Sequence, residues 1–334
     1  MVGGLAARPP EATGENEMAN PYVLRKDVSS VLDLKDGDAS LGPGVGNRYY
    51  VAKTTDTAVY NWLVANRQHT YSDGTRAVQS DIQAALDCTV ECRNDFVYVW
   101  PSDSDYDTTA VLTLTKKSVH LVCPAGLGLD RGATNAARIH QNTAANAVIA
   151  ISDASIEVAG FYLKNYLDYY HITIAATSYG LNIHHNMFPL LWTASPLEAI
   201  ICAGDGGAWG LVSHRNQFIS QAGDDLTCAS LITIPGPATG ARVEYNDFFI
   251  GDGNIVTSCV TNGATKGTVK YNDFMVAAGD GTITCCVTIT ANGVAVGNNG
   301  NVGADALVTG GTDDISAVAN YNALAGGTIA DDLD

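Results

Sequence analysis

Two groups of residues in this 334-residue chain have the types and spacing for chemistry. The stretch AGDDLTC, Ala222–Cys228, sets Asp224 beside Asp225. A close pair of carboxyl groups is what acid–base cleavage of a glycosidic bond requires, one giving a proton and the other activating water. The second group is a column: His184, His214, Glu244 and Lys270 each stand two residues before an asparagine, at Asn186, Asn216, Asn246 and Asn272. Two imidazoles and a carboxylate are a known transition-metal ligand set, so His184, His214 and Glu244 are candidate metal ligands. Each group also has an architectural reading. Asp beside Gly is turn chemistry, and Gly-Asp-Gly recurs around Asp205, Asp252 and Asp280. The His/His/Glu/Lys column also reads as an exposed polar stripe of complementary charge. Aspartate-rich turns are suitable material for weak calcium binding.

The elements that would position these residues come from a repeat. LNIHHNMF, LVSHRNQF, ARVEYNDF and GTVKYNDF align with an aromatic residue two positions after each asparagine. The pairs are Asn186/Phe188, Asn216/Phe218, Asn246/Phe248 and Asn272/Phe274. The asparagines are 30, 30 and 26 residues apart, with Asn165 a further 21 upstream and Asn298 another 26 downstream. Periods of this size belong to solenoids. Short β-branched runs broken by Gly, Asn, Asp and Pro lie between them, which is the grammar of strands and turns.

The fold class expected is therefore all-β: a right-handed parallel β-helix of seven to nine coils. Coils stack about 4.8 Å apart, so one position in successive coils forms a column. The phenylalanines are expected as an interior stack and the asparagines as a hydrogen-bonded ladder. Cys202, Cys228, Cys259 and Cys285, spaced 26, 31 and 26, are expected as a third inner column, with disulfide pairing between neighbours left open. The domain reading is a flexible N-terminal arm over 1–47, a helical cap region with the first strand over 48–110, the β-helix over 111–310 and an acidic tail or end cap over 311–334.

Thr75–Gly126 resembles the start of a pectate-lyase-like right-handed β-helix. It supplies an amphipathic helix (Val78, Ile82, Ala85, Leu86), the strand DFVYVWP, then LTLTKKSVHLVCPAG. The resemblance implies a fold shared by several functions. Its lyases use a basic Arg or Lys with calcium held by aspartates; here only Lys164, Arg215, Arg242, Lys266 and Lys270 are cationic between Ala150 and Asp334. AGDDLTC resembles the Gly-Asp-Asp element of polygalacturonase-like hydrolases, but the companion Asn-Thr-Asp, Gly-His-Gly and Arg-Ile-Lys elements are missing.

The chain as a whole resembles β-helical structural proteins of tailed phages. That resemblance implies a non-enzymatic virion component, a decoration or spike-like subunit, trimeric, gripping a partner through the Asn20–Asn47 arm. The alternatives are an extracellular β-helix that binds or cleaves polysaccharide, and a self-assembling surface or fibre protein. A net charge of −17 disfavours nucleic acid, anionic membranes and polyanionic sugars as partners. The N-terminus lacks the apolar run of a secretory signal, and no apolar run approaches the ~18 residues of a membrane span. The extra lengths of chain in PLLWTASPLEA (189–199) and IPGPATG (234–240) are where a glycan or neighbour is expected.

Overall fold

The chain divides into two units, Met1–Lys35 and Asp36–Asp334. The computed structural model describes residues 46–127, 136–143, 146–165, 170–190, 200–202, 208–220, 227–236, 238–277, 281–289, 293–301, 306–310, 316–318, 320–322 and 331–332, all in the second unit.

That unit is a parallel β-solenoid. Its strands fall into one 11-stranded sheet and two 9-stranded sheets, named here sheets A, B and C. From Asp95 onward the chain visits them in that order, as in Asn182–His184 (A), Met187–Leu190 (B) and Ile200–Cys202 (C). Strand pairing between named strands is parallel throughout, each coil hydrogen-bonding to the next. Alternate residues point inward, so a column of like residues is buried at one register position.

The inner columns explain the repeat. Phe188 pairs with Phe218, Phe218 with Phe248, and Phe248 with Phe274. Their rings stack at 4.8, 4.7 and 4.9 Å within 10° of parallel. Burying each such ring is worth roughly 1.5–3 kcal/mol. The asparagines bond side chain to side chain from Asn186 to Asn216, Asn246, Asn272, Asn298 and on to Asn320, at 2.9–3.2 Å. Each Nδ2 also donates to a buried backbone carbonyl, as Asn216 does to Ile183 at 2.9 Å. Asn165 is not a rung. It ends a sheet B strand opposite Gln141, and the ladder instead begins with the Phe161 backbone N–H, which donates to Asn186 Oδ1 at 3.0 Å.

The cysteine column is corrected by the register. Cys228 pairs with Val256 rather than Cys259, and Cys285 with Ser258. Sequence spacing misled because the number of residues between the ladder asparagine and an equivalent sheet C position differs from coil to coil: Cys228 lies 12 after Asn216 but its partner Val256 10 after Asn246, and Ser258 lies 12 after Asn246 but its partner Cys285 13 after Asn272. Cys228, Cys259, Cys285 and Cys286 are buried. Cys202 pairs with neither, since the adjacent Ile201 stands opposite Thr233.

The first coils carry two helices, α1 (Thr57–Arg67) and α2 (Ile82–Cys88). Asp81 caps α2 by accepting from Ala84 N–H at 2.8 Å, and Ile82, Ala85 and Leu86 pack on the core. Val78, expected in this helix, belongs instead to a strand. That strand and Arg48–Val51 precede the expected first strand, Asp95–Val99, in sheet A. The β-branched and aromatic run RYYV favours the pleated surface.

Candidate active site

From the strand Asn182–His184 to the strand Val294–Val296, two residues separate each sheet A strand from its sheet B strand. The second is the ladder asparagine. The first forms a column of its own: Gly160, His185, Arg215, Tyr245, Tyr271 and Gly297, all at positive φ between 53° and 82°. For a residue with a side chain this conformation costs about 1–2 kcal/mol. The two end positions are glycine, whereas the four central coils hold a histidine, an arginine and two tyrosines against that cost. Gly297 leaves room for its neighbour, because a Cβ there would lie 2.6 Å from the Tyr271 ring. Non-glycine residues held in strained turns are a feature of functional sites.

Beside this column lies the outward face of sheet A. His184, His214, Glu244 and Lys270 are in register across four coils. The neighbouring outward column contains His120, Glu157, Asn182, Val212 and Arg242. Glu157 Oε2 is 2.7 Å from His120 Nδ1, and Glu157 Oε1 is 2.7 Å from His184 Nε2. On its far side, His120 Nε2 lies 2.8 Å from Asn94 Oδ1. His184 Nδ1 is 2.7 Å from His185 Nδ1. The rings of His184 and His214 stack at 4.8 Å, 16° from parallel.

Burial alone would raise the Glu157 carboxyl, but the hydrogen bonds from His120 and His184 outweigh it and hold the group down at about 2. Burial lowers His185 to about 4, helped by His184, Arg215 and His214. Burial likewise lowers His214 to about 4, with His184, Arg215 and Arg242 adding to it against Glu244. Both imidazoles are therefore neutral at neutral pH.

The proton positions follow. An ionised carboxylate only accepts, so His120 Nδ1–H and His184 Nε2–H donate to Glu157. His184 Nδ1 and His185 Nδ1 share one hydrogen; if it belongs to His185, the Nε2 of His185 is its acceptor nitrogen. His185 is half-buried, with Arg215 next in the column. Tyr245 and Tyr271 follow, 52% and 44% exposed, their rings stacked at 5.2 Å.

His184, His214 and Glu244 are brought into one column yet do not converge on a metal position. Imidazole lone pairs lie in the ring plane, and stacked rings present faces to each other. His184 spends both nitrogens on Glu157 and His185, and Glu244 Oε1 lies 3.3 Å from Lys270 and 3.7 Å from Arg242. Among the described residues, no group of three or more His, Cys, Asp or Glu side chains is placed to hold a metal ion. Asp224, Asp225, Asp205 and Asp280 lie outside the described residues, as does 191–199. Asp252 is in a turn beside Gly253, whose φ is 80°.

Sequence reasoning found His184, His214 and Glu244 but missed Glu157, His120 and His185. A direct signal existed for His185, the turn position immediately before the ladder asparagine.

No family model and no curated protein matches the chain. Among solved structures it is similar to an alginate lyase from Paenibacillus sp. str. FPU-7, at 14% identity over 74% of this chain and 93% of that one, with a TM-score of 0.43. The chain is a parallel β-solenoid. The expectation of a non-enzymatic virion subunit is corrected. The outward face of sheet A, expected to be a plain polar stripe, holds the linked His120–Glu157–His184–His185 set.

Proposed function

We propose that this β-helix cleaves a polysaccharide, by elimination, on the outward face of sheet A, with His185 Nε2 as the base. The observation that carries the reading is the 2.7 Å contact between His184 Nδ1 and His185 Nδ1, with His184 Nε2 held by Glu157; in the proposed tautomer it leaves Nε2 of His185 as the base.

Other features support the same class. Hydrolysis needs two available carboxyl groups, and the two described carboxylates of this face are committed, Glu157 to two histidines and Glu244 to Arg242 and Lys270. Elimination needs a base and a cation. The base removes a proton from a carbon beside a carboxylate, and the cation offsets the charge that builds there. Although the chain as a whole is acidic, three of the five cations between Ala150 and Asp334 belong to this face and its turn: Arg215, Arg242 and Lys270. Tyr245 and Tyr271 offer exposed aromatic faces on which sugar rings stack. The substrate class is a polysaccharide containing uronate residues.

The test is incubation with a panel of uronate-containing and neutral polysaccharides. Product size and the ultraviolet absorbance of a new carbon–carbon double bond are followed. Expected is chain shortening with unsaturated ends on a uronate polymer, lost in His185→Asn. Shortening of a neutral polymer without unsaturation would make the activity hydrolytic and overturn the base assignment. Binding without shortening of any polymer would reduce the protein to a binding module.

A further inference from the structure

The geometry points to a proton relay, Glu157–His184–His185, in which Glu157 is a positioning residue that sets which nitrogen of His185 is open. This rests on the cleavage reading above and assigns roles within its site.

The relay follows from hydrogen-bond polarity. Glu157 accepts at both oxygens, at 2.7 Å from each of two imidazoles. It therefore fixes the proton of His184 on Nε2. With Nε2 protonated, neutral His184 has only Nδ1 to accept, and the Nδ1–Nδ1 distance of 2.7 Å requires one hydrogen between the rings. That hydrogen belongs to His185. A buried carboxylate that holds an imidazole in one tautomer is a general device for making a base; here the instruction passes through a second imidazole.

The relay also resolves an apparent conflict. His185 alone is a weak base, because burial and its neighbours hold it at about 4. In the relay it does not keep the positive charge. A substrate C–H proton passes to His185 Nε2 as the His185 Nδ1 proton passes to His184 Nδ1. The C–H electron pair forms the new double bond, and the glycosidic C–O bond breaks with its pair on oxygen. His184 becomes the imidazolium, 2.7 Å from the Glu157 carboxylate. The reverse shift returns the proton to His185 Nδ1 while Nε2–H is given to the departing oxygen. Protons balance, and no other reactant is required.

The charged and titratable groups around the relay fit these roles. His120 faces Glu157 on the side away from His184. His214 stacks on His184 and stands edge-on to His185. Arg215 follows His185 in the turn column and adds positive potential, which disfavours charge on His185. Beyond His214 lie Glu244 and Arg242. The favoured place for the positive charge is thus His184, next to the carboxylate.

The experiment is imidazole nitrogen NMR of the full chain at neutral pH, with and without Glu157→Gln. In the wild type, His184 should be protonated at Nε2 and His185 at Nδ1. A glutamine has one acceptor oxygen. When that oxygen serves His120, its NH2 faces His184 Nε2 and reverses both tautomers, leaving His185 with Nε2–H. Turnover by Glu157→Gln should fall roughly 100-fold or more with KM held, and the rise of rate with pH should move. Glu157→Asp, which keeps an acceptor-only carboxylate, should retain the wild-type tautomers. A wild-type His185 protonated at Nε2, or a Glu157→Gln protein with unchanged tautomers and pH profile, overturns the relay. If Glu157→Gln does not fold, the wild-type and Glu157→Asp spectra decide. If the tautomers are as stated and no polysaccharide is cleaved, the relay stands and the cleavage reading falls.

Discussion

Nδ1 of His184 and Nδ1 of His185 lie 2.7 Å apart, so two consecutive residues on opposite sides of a strand–turn boundary share one hydrogen. The positive φ of 54° at His185 makes this contact possible. In an extended strand, successive side chains point to opposite faces; the left-handed turn swings the second ring back toward the first.

That strain separates activity from stability at His185. Replacing it with glycine removes the base and the backbone penalty together. His185→Gly should lose cleavage by roughly 100-fold or more while its thermal midpoint stays level or rises, the relief being about 1–2 kcal/mol. A thermal melt beside an activity assay checks this. A marked drop in the midpoint would mean that the His184 contact contributes more than the turn costs.

Acid should loosen the fold in a defined window. His185 and His214 are held at about 4, and the buried His171 at about 3 chiefly by desolvation, against an ordinary 6.5. A depressed group contributes stability that is present above its unfolded value and is lost as pH falls through its folded value. Glu157, at about 2 against 4.5, acts with the same sign lower down. Stability to urea should therefore decline from about pH 6.5 downward and continue falling toward pH 2. The double variant His185→Gly/His214→Asn should flatten the upper part of that decline.

The asparagine ladder should fail most at its middle. Asn216→Ala removes the Oδ1 that accepts from both Asn186 N–H and Nδ2, and the Nδ2 that serves the Ile183 carbonyl. Each buried group left unsatisfied costs roughly 1–3 kcal/mol. Denaturant unfolding should show Asn216→Ala losing clearly more stability than Asn320→Ala at the ladder's last described rung. Equal losses would argue against a ladder acting as one network.

The tyrosine pair should act on binding. Tyr245 and Tyr271 stack on each other at 5.2 Å and touch no atom of the relay in any described hydrogen bond. Tyr271→Ala should raise KM several-fold with kcat largely kept, consistent with about 0.5–1.5 kcal/mol for an aromatic contact. Steady-state kinetics on the best substrate measures the split. A fall in kcat at unchanged KM would place Tyr271 in the chemistry instead.

The sequence alone determined the solenoid and its columns. In a parallel in-register stack, a residue that recurs once per coil must land on its own copies, so Asn and Phe at a constant offset of two residues announced both the ladder and the ring stack. The outward column of His184, His214 and Glu244 was legible on the same anchor. Tertiary structure alone decided the relay. Glu157 and His120 lie in coils without the Asn-x-Phe signature: where Asn186 stands in one coil, Phe161 stands in the one before. Nothing in the sequence set their register against His184. Strand pairing did, placing Glu157 beside Asn182 and diagonal to His184. The cysteines erred for the matching reason: the count from ladder asparagine to sheet C differs between coils, so a near-regular spacing does not give equal register.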